Sequence, residues 1–319
     1  MSASEAAEAG QTDRTTSQYF GLYLRGICMG AADVVPGVSG GTMAFILGIY
    51  EELVESIRAV GQPRFLGALL GLRLGEALEV LNWRFLIVVG AGILTAVLSL
   101  AKLLAWLLTH QPVLLWSFFF GLVLASVVLV ARRIAHWTPA LAAALVLGTL
   151  GAYVLVGLVP VQTPEEGWFL FLSGAIAICA MILPGISGSF ILVLLGKYEF
   201  ILASVNERDV VTLAWFVAGI AVGIVTFAQI LGWFFKRHHD LTVALLIGLM
   251  LGSLRKVWPW KLTLEFIEGR HGKQIPVVQQ NVLPTWEAAG SLNGEILMAF
   301  GLAVLGFGLV VALERLGRH

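Results

Sequence analysis

Two six-residue stretches hold most of the residues in this chain that could do chemistry: Pro36-Gly37-Val38-Ser39-Gly40-Gly41 and Pro184-Gly185-Ile186-Ser187-Gly188-Ser189. Each interrupts an apolar segment. In the first copy the flanks, Leu22 to Val35 and Thr42 to Ile57, run to 14 and 16 residues, short of the roughly 20 helical residues that cross a bilayer core. The pattern predicts a helix pair that enters the membrane, turns on the Pro-Gly-Ser-Gly corner at depth and leaves by the same face. Irregular backbone at depth is stable only where protein or a water-filled cavity surrounds it. A half-helix that starts there aims unpaired N–H groups and the positive end of its dipole at whatever lies in front. Gly40, Gly41 and Gly188 let a ligand come close, and Ser39, Thr42, Ser187 and Ser189 add hydroxyl donors. The chemistry offered is anion binding, with phosphate the natural guest. The competing reading is that Gly and Ser here only let helices pack tightly.

Other polar residues fall inside apolar segments. Asp33 sits three residues before the first corner, and its counterpart before the second is Met181. A carboxylate at that depth costs roughly 2.5 to 3.5 kcal/mol on insertion scales, so it is a functional candidate. It carries a coupling proton, or it pairs with Arg25 or Lys102. Lys102, read as mid-span, either reaches a bound phosphate or snorkels to an interface. Gln229 takes the corresponding place in the second half. Glu51 and Glu199, beside Tyr50 and Tyr198, fall near hairpin exits close to solvent, a structural position more than a substrate-binding one. No histidine falls in a corner, and neither HExxH, CxxC nor a carboxylate cluster with metal-ligand spacing occurs. The sequence thus names no catalytic residue, metal ligand or cofactor, lacks a Walker loop, and does not read as an enzyme. Cys28 and Cys179 lie in apolar runs, where cysteine acts as a small hydrophobe.

Positioning these residues is the task of a very apolar chain. Of 319 residues, 58% are hydrophobic and 13% charged, against about 25% charged in soluble domains, and the mean hydropathy is +0.89. This is an integral membrane protein. Basic and acidic residues both number 20, a balance that says nothing about nucleic-acid or acidic partners, and no nucleic-acid partner is expected. Residues 1–18 read as a disordered cytoplasmic tail without the order of a secretory signal. A re-entrant hairpin over 19–58 follows, then an interfacial helix over 63–82 and spans over 85–109, 112–131 and 139–159. The second half has a re-entrant hairpin over 168–205, spans over 210–235 and 241–258, an external loop over 259–294, a span over 296–313 and a tail over 314–319.

Sliding the chain on itself exposes a duplication. At an offset of 148, residues 36–57 match 184–205 in 9 of 22 columns without a gap; at an offset of 127, residues 91–126 match 218–253 in 11 of 36. The fold expected is all-α and polytopic, two repeats of 19–160 and 161–313, each a re-entrant helical hairpin plus three transmembrane helices. An odd number of crossings inverts the second repeat, an architecture of transporters. With both termini cytoplasmic, Arg58, Arg64, Arg73, Arg84, Arg132, Arg133, Lys236, Arg237, Arg315 and Arg318 lie inside. The exception is an outer group of Arg255, Lys256, Lys261, Arg270 and Lys273.

At its corners the chain resembles the PopT-type undecaprenyl-phosphate translocase family, long catalogued as a domain of unknown function. The resemblance is carried by Arg25-Gly26, Gly30 through Thr42, Leu47-Gly48-Ile49-Tyr50-Glu51, Gly121 through Ser126, Leu183 through Ser189 and Gly196-Lys197-Tyr198. It implies a flippase that returns undecaprenyl phosphate across the bacterial cytoplasmic (inner) membrane for peptidoglycan and other envelope polymers. The head group would be held between the corners while the isoprenoid tail stays in lipid. H+ or Na+ is the coupling ion that such a carrier could use. Two further readings stand beside it: an ion-coupled carrier of a small soluble anion, and a non-transporting scaffold of envelope synthesis.

Overall fold

The computed structural model describes residues 14–34, 38–132, 134–268, 274–284 and 292–317. Val35, Pro36 and Gly37 of the first corner, and Arg133, Arg270, Lys273 and Arg318 among the charges above, lie outside the described residues. The chain is a polytopic α-helical membrane protein, with a small β-hairpin among the described residues. In order the elements are α1 (Thr16–Val34), α2 (Gly40–Ile46), α3 (Tyr50–Arg58), a 3-10 turn (Ala59–Gly61), α4 (Pro63–Leu70), α5 (Leu74–Val80), α6 (Trp83–His110), α7 (Pro112–Ala131) and α8 (Pro139–Leu155). The second half holds α9 (Gly167–Ile182), α10 (Gly188–Leu194), α11 (Tyr198–Glu207), α12 (Val210–Arg237), α13 (His239–Val257), β1 (Lys261–Glu268), β2 (Gln274–Asn281) and α14 (Leu292–Gly317).

Long uninterrupted apolar runs make the long helices. Helices α6 and α12 have 28 residues each, about 42 Å at 1.5 Å per residue, enough to cross with tilt. They, α7 and the Gly294–Ala312 part of α14 are apolar and long enough to span. Pro139 at the first position of α8, with Thr138 accepting from the Leu141 N–H at 3.3 Å, starts that helix. The outward rows are apolar, as lipid requires: Leu94, Leu98 and Trp106 on α6, Leu147 and Leu150 on α8, Leu297 and Phe300 on α14 are all exposed. Helices α7 and α13 form the centre, with Leu246, Ile247 and Met250 at most 1% exposed.

Several boundaries differ from the sequence reading. Helix α1 begins at Thr16, inside the stretch read as tail, and its 19 residues exceed the expected 14. The interfacial segment is two short helices, because Leu72 adopts a left-handed φ of 54° between them. Part of the expected external loop is the antiparallel pair β1–β2, Lys261 opposite Asn281 through Glu268 opposite Gln274. Helix α14 continues through the expected tail to Gly317.

The outgoing limb of each hairpin is also not one helix. It breaks after Leu47 and again after Leu195, and both breaks use the same backbone device. Gly48 and Gly196 take φ of 72° and 64°; Ile49 N–H bonds Ala44 O at 3.0 Å, and Lys197 N–H bonds Leu192 O at 2.8 Å. Each is a Schellman ending whose left-handed residue favours glycine. In the second hairpin α10 and α11 are bent by 102°. A Cβ on Gly48 meets nothing within 4 Å, so Gly48→Ala isolates the backbone term. It is expected to lower stability by about 1–2 kcal/mol, read as a drop in thermal melting of the solubilised protein, with Gly48→Asn milder.

Contacts between helices repeat with the chain. Gly26 on α1 lies against Val89, and Gly92 on α6 against Tyr23; Gly174 on α9 lies against Phe216, and Gly219 on α12 against Phe171. The offsets are again 148 and 127. Gly121 on α7 abuts Ala303 and Gly306 on α14 abuts Phe118, while Gly248 on α13 abuts Leu145 and Gly148 on α8 abuts Leu245. Offsets of 127 for the second spans and 158 for the third interconvert these four contacts.

Candidate functional site

The corners meet. The end of α9 leaves its last carbonyls without intrahelical partners, and residues of the first hairpin take them. Ser39 Oγ donates between Met181 O (3.2 Å) and Leu183 O (3.4 Å), and Tyr50 OH donates to Ile182 O at 3.0 Å. Gly185, at φ 89°, donates its N–H to Thr42 Oγ1 at 2.8 Å. Ser39, Thr42 and Ser187 are 1%, 1% and 7% exposed, and Pro184, Gly185 and Gly188 are buried with them. Gly41 is pressed against Ile182 O, so a side chain there would force the corners apart.

Much of the first corner's donor capacity is spent within the protein. Ser39 caps α2, accepting from Gly41 N–H at 3.1 Å, and the Gly40 N–H goes to Asp33 Oδ1 at 2.6 Å. Asp33 is therefore bonded to the corner itself, not to Arg25 or Lys102. Each helix that starts at a corner has seven residues, two turns rather than the four expected, and its macrodipole is correspondingly small. The second corner is different: Ser187 does not cap α10, and its hydroxyl lies 2.8 Å from that of half-buried Ser189. One hydroxyl donor of that pair is left for another partner.

The remaining expected residues scatter. Arg25 is half-buried on α1, beside the Gly26 contact with α6, more than two turns before Asp33. Lys102 is exposed on the row of Leu94, Leu98 and Trp106, eight residues (roughly 12 Å) before the end of α6 rather than mid-span. Gln229 clamps Arg58 instead: its Oε1 accepts from Arg58 Nε at 3.1 Å and its Nε2 donates to Arg58 O at 2.6 Å. Glu51 pairs with His239 at 3.1 Å, and both line a cavity with Phe45, Val130, Ile134, Asp240 and Val243. Glu199 is half-buried on α11, away from the corner bonds. Tyr50 is not near solvent; it is 2% exposed, edge-on to Phe45 and Phe235.

Each hairpin gathers both its limbs at one end of the bundle. At the Lys236 end, Arg14 pairs with Glu52 at 2.7 Å, Asn82 donates to Glu52 at 3.0 Å, and Lys236 pairs with Glu55 at 3.3 Å. At the Lys256 end, Val161 N–H bonds Leu194 O at 2.9 Å, and Lys197 Nζ donates to Thr163 O at 2.8 Å. Beyond its place in the Gly196-Lys197-Tyr198 stretch, the sequence gives Lys197 no role. It is 1% exposed, where the duplication sets Ile49 in the first half, also 1% exposed. A lysine in register with a core isoleucine is the signal the sequence holds for it.

This arrangement defines a class: a multi-pass membrane protein in which two broken helical hairpins from the two halves of the chain meet at a buried polar junction. Residues 29–275 match the family model described as VCA0040-like, undecaprenyl phosphate translocase-like, and the chain belongs to that family. It is similar to a protein of Vibrio cholerae serotype O1 named polyprenyl-phosphate transporter, 44% identical over 94% of this chain and 97% of the relative. A protein of Staphylococcus aureus with the same name is 30% identical over 74% of this chain and 85% of the relative. Both relatives are named as transporters, in agreement with the non-enzyme reading. No solved structure matches the chain.

The junction makes Thr42 a direct probe. Thr42→Val keeps the shape and removes the acceptor for Gly185 N–H, leaving a buried donor unpaired at about 1–3 kcal/mol. The expected result is a lower melting temperature for Thr42→Val, with Thr42→Ser close to the parent protein.

Proposed function

We propose that this protein returns a polyprenyl phosphate, undecaprenyl phosphate in the bacterial cytoplasmic membrane, from the outer to the inner leaflet for reuse in envelope polymer synthesis. The phosphate head passes the junction of the two corners, and the isoprenoid tail stays in lipid. The observation that carries this reading is the direct meeting of the corners, Ser39 and Thr42 against residues 181–185, in a chain similar over nearly its whole length to a polyprenyl-phosphate transporter. Supporting it, the limbs of the two hairpins gather at opposite ends of the bundle, and the glycine contacts interconvert between halves. On this reading the halves are inverted repeats, the hairpins are re-entrant, and both termini face the cytoplasm. A head group held between such elements is exposed alternately as one half rocks against the other.

Liposomes containing the purified protein should equilibrate labelled undecaprenyl phosphate between leaflets, whereas empty liposomes do not. Ser39→Phe and Ser187→Phe should each slow this at least tenfold by wedging the junction. Uptake of a water-soluble anion with no movement of the lipid would replace this reading with a soluble-anion carrier.

A further inference from the structure

Beyond the junction, the end of α13 collects positive charge. Helix α13 lies against the second corner: Gly185 touches Leu249, Met250 and Ser253. Lys256 lies one turn beyond Ser253 on the same face, its Nζ 4.5 Å from the ring centre of Phe190, the residue after Ser189. From β1, Lys261 returns to the same place. Its Nζ donates to Lys256 O at 2.5 Å and sits 3.8 Å from the ring centre of Trp116 on α7. Among the described side chains no carboxylate pairs with either ammonium. Arg255 is committed elsewhere, donating to Tyr153 O at 2.9 Å and stacking over that ring at 4.4 Å.

We propose that Lys256 and Lys261, with the hydroxyls of Ser187 and Ser189, form a receiving site for the phosphate-monoester head of the lipid at the end of the bundle opposite Arg58 and Lys236. This rests on the lipid-phosphate reading above and names the residues that take up the head group on one side. Two partly desolvated like charges side by side are unfavourable alone. A phosphate monoester carries about 1.5 to 2 negative charges at neutral pH, which two ammoniums match. Burial, with Lys256 nearby, pushes the Lys261 ammonium down to about 7, and a bound anion would favour its charged form. Phe190 and Trp116 supply an apolar wall against which the first isoprene unit can lie. Two members of the outer basic group that stood as an exception to the inside-positive pattern, Lys256 and Lys261, thereby gain a role.

The test titrates the full-length protein in detergent with farnesyl phosphate, farnesol and inorganic phosphate. Lys256→Gln and Lys261→Gln are each expected to weaken farnesyl phosphate binding about tenfold or more, the typical size of a lost charge-assisted contact. Farnesol binding should not change. The charge-preserving Lys256→Arg/Lys261→Arg variant should retain binding with an unaltered melting temperature, and so should Lys236→Gln at the opposite end. Parental affinity for farnesyl phosphate in the double Gln variant would overturn the site. Inorganic phosphate binding as tightly as farnesyl phosphate would overturn the assignment to a lipid head in favour of the free anion. A parallel flip assay separates the two levels of the claim. Lysine-dependent binding without lipid movement sinks the transport reading and leaves the site; lipid movement that ignores both lysines sinks the site and leaves the transport reading.

Discussion

Asp33→Asn is expected to bind the polyprenyl-phosphate head group at least tenfold more tightly than the parent protein and to turn over more slowly, with little change in melting temperature. The expectation starts from the 2.6 Å bond between Gly40 N–H and Asp33 Oδ1, which puts a carboxyl group at the junction that the phosphate passes on the proposed route. Two unit charges 4 Å apart interact by roughly 4 kcal/mol at an effective dielectric near 20. On the proposed route a phosphate at the corner and an ionised Asp33 would repel one another, and the carboxylate would act as a competitor that helps expel the head group. Asparagine keeps an oxygen for Gly40 and removes the charge, so binding strengthens and release slows. Asp33→Ala does something else: it strands the Gly40 N–H, which costs about 1–3 kcal/mol, and should lower the melting temperature. Unchanged affinity in Asp33→Asn, measured by titration with the labelled lipid, would show that the head group never comes near this carboxylate.

What can be read in the sequence follows how local each feature is. The corners are visible because Pro-Gly-Ser breaks the helix that an apolar run would otherwise continue, and it does so twice; the long spans are visible because run length alone decides them. The bond from Asp33 to Gly40 bridges seven residues across a chain reversal, a pairing that helical or strand spacing does not suggest. Gly48 and Gly196 stand in plain view, but a glycine in an apolar run reads as a packing residue until its left-handed φ is known. The 158-residue offset between the third spans is faint in the sequence because few columns match beyond Val146-Leu147-Gly148 with Val304-Leu305-Gly306, and what the two spans share is the backbone that Leu145 and Ala303 present to Gly248 and Gly121. Lys256 and Lys261 are legible as charges and illegible as neighbours, since it is the turn from α13 into β1 that folds one back over the other.

Gly121→Val and Gly248→Val are expected to be among the most destabilising single substitutions outside the corners, by about 3 kcal/mol each, the upper part of the usual overpacking range. Lipid tails are as apolar as leucine, so helices in a bilayer are held together largely by close packing and not by a hydrophobic drive. Small residues set how near two helix backbones come. A Cβ on Gly121 would collide with the Ala303 carbonyl of α14, and one on Gly248 with the Leu145 carbonyl of α8. Both obstacles are backbone, which cannot rotate aside as a flexible side chain can. The collision must then be relieved by separating α7 from α14, or α13 from α8, with loss of the packing around α7 and α13 at the centre of the bundle. Because the 127 and 158 offsets interconvert these contacts, the two substitutions should lower the melting temperature by similar amounts. Gly90→Val, on α6 with nothing within 4 Å of its Cβ, should leave it unchanged. Near-parental melting of Gly121→Val with a deep loss in Gly248→Val would mean that the two halves do not share one mode of packing, and the rocking of one half against the other would lose its structural basis.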